Sequence, residues 1–412
     1  MTVKTEPQKS AGKKKKWIRS RHRILTDLLR PVLRMLCKVR YNCEITPFAD
    51  QGDRQYLILS NHQTPFDQFY VAGAFRGAVY YIATEDIFSL GWVSDLIRYL
   101  VAPIPIKKQT TDVKAVMNCI RVAREGGTIA LFPEGNRTYS GKTEYMNPAI
   151  VGLAKKLRLP IAIFRIEGGY GVEPRWSDVR RKGSMQAYVR EVIEPEQYQG
   201  LGDEDFRARI EAALFVDEGR LSGDFPHRQS AEYLERAVYI CPHCGLSKFE
   251  SHDDIVECKT CGRQIRYLPS KELEGVGFDF PFRFMTEWYD WQKDFINALD
   301  TREYIEQPIY TDVADVNEVI VYKNKQPLYK DAKLALYGDR VVIEGAGESM
   351  VMPYDEVTAM SCMGRNKLNI YHNERVFQIK GDKRFNALKY VNICYRSKNI
   401  SKGNEDGKFL GL

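Results

Sequence analysis

Two short apolar runs, each followed at once by ionisable side chains, constrain the fold of this 412-residue chain more than any other feature. The runs cover residues 56–60 and 128–132, and each has the length and composition of a buried β-strand. The first leads into His62 and Asp67, and the second leads into Glu134. Open α/β sheets carry their chemistry just beyond the carboxyl ends of such strands. The pattern therefore predicts an α/β domain with a histidine and two carboxylates at one edge of its sheet.

The spacing of the first group lets Asp67 orient the imidazole of His62. Thr64 and Pro65 form a helix-start signal, with Thr64 as N-cap and Pro65 at the first helical position. Asp67 then lies in the first helical turn, and His62 in the preceding loop can turn back towards it. This contact would fix the tautomer of His62 and leave its ring free to take a proton from a hydroxyl. A Thr-x-x-Asp pair is also typical of a capping box, so helix capping is the alternative role of Asp67.

Four segments of the chain together resemble the glycerolipid acyltransferase family, whose bacterial members include 1-acylglycerol-3-phosphate acyltransferases. The segments are Asn61-His62-x4-Asp67, Ala102-Pro103-Ile104-Pro105-Ile106-Lys107-Lys108, Phe132-Pro133-Glu134-Gly135-Asn136-Arg137 and Leu159-Pro160-Ile161-Ala162-Ile163. They follow the order of the family, and the resemblance extends over residues 20–225. The first and third segments are specific as a pair, whereas the other two mean little alone.

The resemblance implies acyl transfer from a thioester directly to a lipid hydroxyl, with acyl-CoA or an acyl carrier protein thioester as co-substrate and no organic cofactor. His62 would be the general base and Asp67 its orienting partner. Glu134 would help position the acceptor glycerol, and Arg137 would help bind its phosphate or shape the site. Gly135 would belong to the same substrate-binding segment. No Gly-x-Ser-x-Gly elbow is present in the sequence, which agrees with a reaction that needs no side-chain nucleophile.

One of the weaker segments departs from the family at two positions. Lys108 stands where the family has a phosphate-binding Arg, and Ala102 stands where it has Gly. Lys keeps the positive charge but lacks the planar fork that binds phosphate through two hydrogen bonds. Lys108 is therefore a candidate phosphate ligand, while glycerol-3-phosphate and lyso-aminolipids stay open as alternative acceptors.

The positive charge is concentrated at the N-terminus. Residues 1–40 contain 13 Lys and Arg against two acidic residues, and because the whole chain carries +7, the remainder carries −4. Residues 1–16 are predicted to be a disordered basic tail, and residues 17–42 to be amphipathic, with Pro31 dividing them into two short helices. Basic amphipathic helices bind anionic membrane surfaces; packing on the catalytic domain is the alternative. The apolar positions are Trp17, Ile18, Leu25, Leu28, Leu29, Val32, Leu36 and Val39.

The sequence lacks the two signals that would place the chain in or across a membrane. It has no run of 18 apolar residues and no apolar core of a secretory signal behind the N-terminal charges. The cysteines outside the paired motifs described next are scattered and mostly in apolar patterns, which is typical of reduced core residues. We therefore expect a cytoplasmic protein bound peripherally to the inner face of the membrane.

Two Cys-x2-Cys-Gly motifs predict a structural metal site. Cys241 and Cys244 form the first pair, Cys258 and Cys261 the second, and 13 residues separate the pairs. Four thiolates at this spacing are typical of a tetrahedral zinc ribbon, predicted here over residues 236–268; rubredoxin-like iron is the alternative. The ribbon is not basic, which argues against nucleic acid as a partner. Protein contact is its other candidate role.

The last third of the chain begins with an aromatic-rich segment and continues with segments in which apolar and polar residues alternate. Residues 269–304 read as an aromatic helical linker, either at a membrane interface or in interdomain packing. Residues 305–400 read as seven short strands and a final helix over 384–396, with the first strand at 316–323. This pattern resembles a pleckstrin-homology or GRAM-type module, which could bind lipid or protein; a stabilising appendage is the alternative.

The sequence thus predicts an acyltransferase catalytic domain over residues 43–225, followed by a zinc ribbon and a small β-rich domain. The expected reaction acylates the free hydroxyl of a lysophospholipid, with 1-acylglycerol-3-phosphate as the first candidate and phosphatidate as its product. A membrane scaffold that keeps the fold without the chemistry is the rival from another class. The retention of His62, Asp67, Glu134 and Arg137 argues against it.

Overall fold

The chain forms a mixed α/β domain followed by two β-rich units, which confirms the predicted fold class. Three predicted features lie wholly or partly outside the described residues. They are Lys108, the tail over residues 1–15 and the end of the first C-terminal strand, predicted at 316–323. The computed structural model describes residues 16–84, 87–88, 91–106, 112–320 and 325–411.

A seven-stranded sheet forms the centre of the first domain. Its strands are β1 (Cys43–Ile45), β2 (Leu57–Ser60), β3 (Val79–Thr84), β4 (Ile104–Ile106), β5 (Thr128–Leu131), β6 (Ile161–Glu167) and β7 (Met185–Ile193). The order across the sheet is β1-β7-β6-β2-β5-β3-β4, with only the β6–β7 pair antiparallel. Because β2 and β5 are parallel neighbours, the loops that follow them meet at one edge of the sheet.

Helices cover both faces of this sheet, and the strand residues between them are buried. The helices are α1 (Ser20–Tyr41), α2 (Asp67–Ala74), α3 (Trp92–Leu100), α4 (Val113–Arg124), α5 (Ala149–Leu157), α6 (Gly169–Val172), α7 (Pro195–Tyr198) and α8 (Asp203–Leu214). On β2, Leu57 and Leu59 belong to one apolar core and Ile58 to the core on the opposite face. This burial on both faces explains why the strand reads as a continuous apolar run.

Helix α1 is continuous, so the prediction of two short helices separated at Pro31 was wrong. A proline in a helix interior removes one backbone hydrogen bond and costs about 3 kcal/mol. Packing offsets this cost, because one face of α1 is buried at Cys37 and Tyr41. The Arg34 guanidinium on the same side also donates to the carbonyl of Gly73 at 2.7 Å. The next helix differs too: α2 begins at Asp67, two residues after the predicted start at Pro65.

The second unit carries the paired cysteines on short antiparallel strands. Its larger sheet extends to β13, past the predicted boundary at residue 268, because β13 pairs with β12. Helix α9 follows, and its buried Trp288 donates from Nε1 to the carbonyl of Ile240 at 3.0 Å. The strands and helix are β8 (Ile240–Cys241), β9 (Gly245–Leu246), β10 (Phe249–His252), β11 (Ile255–Cys258), β12 (Gln264–Tyr267), β13 (Leu273–Gly275) and α9 (Met285–Ala298). The aromatic stripe of α9 is thus in interdomain packing, as one of the two alternatives predicted.

The third unit is a curled antiparallel sheet of seven strands, ordered β17-β16-β15-β14-β20-β19-β18, with a final helix. Its elements are β14 (Tyr310–Glu318), β15 (Gln326–Leu336), β16 (Arg340–Gly345), β17 (Glu348–Pro353), β18 (Val357–Met363), β19 (Lys367–His372), β20 (Arg375–Gly381) and α10 (Leu388–Ser401). The pleckstrin-homology or GRAM resemblance stays a prediction.

Strand β14 begins at Tyr310 rather than at the predicted residue 316. The alternation is inverted there, since Val313 is exposed while Asp312 points towards the last helix. The Asp312 carboxylate accepts hydrogen bonds from Lys389 at 3.0 Å and from the hydroxyl of Tyr390 at 2.7 Å. Because this inward-facing residue is polar, the start of the strand lacks the apolar alternation from which a strand is predicted.

Across the described part of the chain, no helix combines the length and the apolar composition needed to span a bilayer.

Candidate active site

His62 and Asp67 form a direct hydrogen bond at the sheet edge after β2. The His62 Nδ1 lies 2.7 Å from Asp67 Oδ2, and Asp67 is fully buried. Its carboxylate also accepts the backbone N–H of Gln63 at 2.6 Å and that of Thr64 at 2.9 Å. The same carboxylate therefore closes the turn before α2 and fixes the imidazole. Because α2 begins at Asp67 with Phe66 as its N-cap, the predicted N-cap at Thr64 was wrong.

The imidazole of His62 is held on a second side by an aromatic ring. Phe132, which follows β5, stacks on it with ring centroids 4.3 Å apart. With Nδ1 bound to Asp67, the other ring nitrogen, Nε2, is left to meet a substrate. Burial lowers the pKa of His62 below its ordinary value, and the hydrogen bond and charge of Asp67 oppose that shift. The imidazole is therefore neutral at pH 7 and able to accept a proton.

Glu134 joins the two loops of the site. One carboxylate oxygen accepts the backbone N–H of His62 at 3.0 Å, and the other accepts that of Glu144 at 3.2 Å. The backbone N–H of Thr138 in turn donates to the carbonyl of His62 at 3.3 Å. These bonds fix the position of His62, a role that the sequence did not indicate for Glu134. Burial raises the pKa of Glu134 to about 8 against the opposing effect of the two N–H donors.

We expect Glu134→Gln to remove a pH dependence of stability between about pH 4.5 and 8. The folded protein keeps this proton in a range where the unfolded chain has released it. The stabilising contribution is thus complete below the unfolded pKa and is lost as the pH rises through the folded pKa. The free energy of unfolding should therefore fall with rising pH by at most about 1.4 kcal/mol per pH unit.

Denaturant unfolding at a series of pH values measures this slope in the wild type and in Glu134→Gln. The exposed Glu306→Gln is a matched control. The lost acceptor lowers the stability of the Gln variant by an amount that does not depend on pH. Parallel profiles for the wild type and Glu134→Gln would show that Glu134 has no such linkage.

The remaining residues of the second motif form the turn beyond Glu134. Gly135 has φ = +67° and is exposed, in a conformation that favours glycine. Arg137 has a buried Nη1 without a hydrogen-bond partner among the described residues. Burial and the nearby charges of Arg175 and Arg365 lower the pKa of Arg137 to about 10. The predicted phosphate ligand Lys108 lies outside the described residues, so its relation to this turn is open.

The comparisons with known proteins find matches to the domain that contains this site. A family profile described as Acyltransferase matches residues 40–166, a range that contains both loops of the site. This domain belongs to the acyltransferase family. The enzyme class predicted from the sequence is thereby confirmed.

Named relatives of the acyltransferase domain are distant. The 1-acyl-sn-glycerol-3-phosphate acyltransferase of Bacillus subtilis (strain 168) is 21% identical over 175 residues, 42% of this chain and 82% of that protein. The chloroplastic 1-acyl-sn-glycerol-3-phosphate acyltransferase BAT2 of Brassica napus is 21% identical over 146 residues, 34% of this chain and 42% of its own length. A crystal structure of the 1-acyl-sn-glycerophosphate acyltransferase of Thermotoga maritima aligns with a TM-score of 0.39 and 21% identity, covering 46% of this chain and 78% of that one.

Three side chains next to the acyltransferase site were not predicted. Asn61 bridges β2 to β6, since its amide exchanges two 2.8 Å hydrogen bonds with the backbone of Ile166. The position of Asn61 next to His62 in the first motif could have indicated that it belongs to the site. Arg175 and Arg365 lie near Arg137 only through the fold, and no local pattern marks either of them.

Beyond the acyltransferase domain, the four predicted cysteines converge on one point. Their sulfurs all lie within 4.8 Å of one another, with 3.8 Å between Cys241 and Cys261 and 3.5 Å between Cys244 and Cys258. A zinc ion with four bonds of about 2.3 Å requires sulfurs about 3.8 Å apart. In each motif two backbone N–H groups also point at the first sulfur, as those of His243 and Cys244 do at Cys241. The cluster therefore fits a tetrahedral metal ion.

Proposed function

We propose that the protein transfers a fatty acyl group from a thioester to the free hydroxyl of 1-acylglycerol-3-phosphate, giving phosphatidate. The observation that carries this proposal is the His62–Asp67 hydrogen bond, which turns Nε2 of a neutral imidazole away from the carboxylate. Both relatives that align to the domain are named for this acceptor. Acyl-CoA and an acyl carrier protein thioester are the proposed donors.

In this reaction, His62 Nε2 removes the proton of the acceptor hydroxyl as the oxygen attacks the thioester carbonyl. A new ester C–O bond forms and the C–S bond breaks. The leaving thiolate takes the proton back from His62, so the enzyme ends unchanged. Asp67 stabilises the imidazolium between these steps and holds its tautomer. General-base assistance of this kind contributes about 10²–10⁴-fold in rate.

An acceptor and donor panel tests the proposal. Lysophosphatidate, glycerol-3-phosphate and a lyso-aminolipid would each be offered with CoA and acyl carrier protein thioesters. The highest kcat/KM is expected for lysophosphatidate. A higher kcat/KM for another acceptor would show that the proposed substrate is wrong, while the acyl-transfer reaction would stand. Absence of turnover on every pair, by folded protein, would favour the scaffold alternative.

We also propose that α1 and α3 bind an anionic membrane. Large apolar side chains of α1 form an exposed stripe on the face opposite Cys37 and Tyr41, and exposed Arg and Lys residues flank it. Trp92, Leu96 and Tyr99 expose further apolar surface on α3, where the Arg21 guanidinium of α1 stacks on Tyr99 at 3.8 Å. The stripe comprises Ile24, Leu28, Val32, Met35 and Val39, whereas Trp17 and Ile18 pack on the catalytic core.

Replacing Leu28 and Val39 with Glu is expected to weaken vesicle binding at least about 100-fold, since each side chain would contribute about 1.5–3 kcal/mol on burial. Val39 is 82% exposed, so the folded protein should tolerate the change. Sedimentation with phosphatidylcholine vesicles containing phosphatidylglycerol measures the affinity. Val313→Glu is the control, at an exposed apolar position (57%) on the third unit. Equal binding by the double variant and the control would contradict the proposed surface.

For the cysteine cluster we propose structural zinc. The donor set of four thiolates selects Zn²⁺ or Fe over harder cations, and a closed four-sulfur shell leaves no position for a substrate. When bound, the ion would tie the two motifs together and supply folding energy. It takes no part in the proposed acyl transfer.

A further inference from the structure

The turn between β18 and β19 brings the third unit to the acyltransferase site. Arg175, a buried residue of the catalytic domain, donates from Nε to the carbonyl of Gly364 at 3.1 Å and from Nη2 to that of Cys362 at 3.2 Å. Its Nη1 donates to the carbonyl of Arg137 at 2.8 Å. One guanidinium therefore joins the turn of the third unit to the second motif of the active site.

The side chain at the tip of this turn, Arg365, enters the same region. It forms an ion pair with Glu173, a buried carboxylate that also accepts the hydroxyl of Tyr41 at 2.7 Å. Its Nε lies 3.6 Å from Asp178, too far for a hydrogen bond. Asp178 is engaged by Arg236 through two hydrogen bonds of 2.7 and 3.2 Å. Glu173 is thus the main anionic partner of Arg365.

The charges around this turn do not balance. Three guanidiniums, those of Arg137, Arg175 and Arg365, face the carboxylate of Glu173. The two other nearby carboxylates are engaged elsewhere, Asp67 with His62 and Asp178 with Arg236. Among the described residues, Arg137 Nη1 and Arg365 Nε are also buried without a hydrogen-bond partner. Buried donors and buried charge without partners are costly. An anion with two negative charges and several acceptor oxygens would satisfy both deficits.

We propose that Arg365 of the third unit, together with Arg137, binds the phosphate monoester of the acceptor, and that Arg175 positions both. The inference rests on the proposed function and adds to it a specificity residue from outside the acyltransferase domain. It also gives the third unit a role: its β18–β19 turn completes the acceptor site. The unit is then part of the enzyme rather than a separable appendage.

Arg365→Ala is expected to raise KM for lysophosphatidate about 10- to 100-fold, the effect of losing one charge-assisted hydrogen bond, and to change kcat less than threefold. Arg365→Lys, which keeps the charge without the fork, should give an intermediate KM. Arg375→Ala is the matched control, because Arg375 pairs with Glu318 on the same unit and away from the turn. Thermal melts of all variants show whether the fold is kept.

Glu173→Gln separates a phosphate site from an ordinary ion pair. If Arg365 only stabilises the fold through Glu173, both single substitutions break the same pair and should act alike on KM. If Arg365 binds phosphate, removing the competing carboxylate leaves KM for lysophosphatidate at or below the wild-type value, opposite to Arg365→Ala.

An unchanged KM in Arg365→Ala, or equal rises in Arg365→Ala and Glu173→Gln, would overturn this inference while the wild-type reaction stands. If the wild type does not acylate lysophosphatidate at all, the proposed function fails first and the inference fails with it.

Discussion

His62→Gln should lower kcat for acyl transfer by about 10²–10⁴-fold and leave KM for the acceptor within a few-fold of the wild type. Gln is similar in size and polar, but it cannot take a proton from the attacking hydroxyl near neutral pH. Steady-state kinetics with a thioester donor measures the loss. Because burial lowers the pKa of His62, wild-type kcat/KM should fall on acidification with a midpoint below 6.5.

His252→Gln is the matched control for this substitution, because His252 is exposed and lies in the ribbon.

Asp67→Asn tests the orientation of the base. Both carboxylate oxygens of Asp67 accept hydrogen bonds, whereas the Asn side chain has only one oxygen that can accept. The tautomer of His62 is then no longer fixed. A buried backbone N–H near Thr64 also loses its partner. A His62→Gln enzyme with near wild-type kcat would rule out His62 as the general base.

Loss of the proposed zinc ion is expected to have the largest effect on stability. Cys258→Ser should abolish stoichiometric zinc and lower the free energy of unfolding by at least about 5 kcal/mol, since a structural site contributes its binding energy to folding. The ribbon shares its core with the rest of the protein: Val256 and Ile265 belong to the same buried cluster as Trp288 and residues of the third unit. Acyl transfer should therefore fall with stability, because the β18–β19 turn would lose its support.

Metal analysis and thermal unfolding, with and without a chelator, measure these effects. Cys119→Ala is the matched control, because Cys119 is an equally buried thiol in the core of the catalytic domain. It should keep the metal and lose only about 1–3 kcal/mol for the small cavity. If Cys258→Ser melts like the wild type, the cluster has no structural role.

Local patterns were sufficient to predict strands β2 and β5 and the contact between His62 and Asp67. The runs before His62 and Glu134 are apolar throughout because both faces of the sheet are covered, and parallel strands place the following loops together. The cysteine spacing likewise predicted a cluster that the fold assembles. In these cases the residues that interact are close in sequence or follow neighbouring strands.

What the sequence did not show depends on contacts between distant segments. The bonds from Arg175 to the β18–β19 turn span almost 190 residues, and a lone arginine has no periodic signature. Helix α1 continues through Pro31 because of packing that propensity does not include. Strand β14 was placed too late because Asp312 faces inward to meet Lys389. Hydrophobic periodicity indicates the burial of apolar residues but not the pairing of buried charges.

The most direct test of the proposed reaction is the identity of the acylated product. The purified protein, with zinc bound, would be incubated on anionic vesicles with lysophosphatidate and a labelled acyl thioester, and the lipids analysed by mass spectrometry. The labelled acyl group is expected in phosphatidate, with product formation lost in His62→Gln. Recovery of the label only as free fatty acid or unreacted thioester, from protein that is folded and bound to the vesicles, would contradict it.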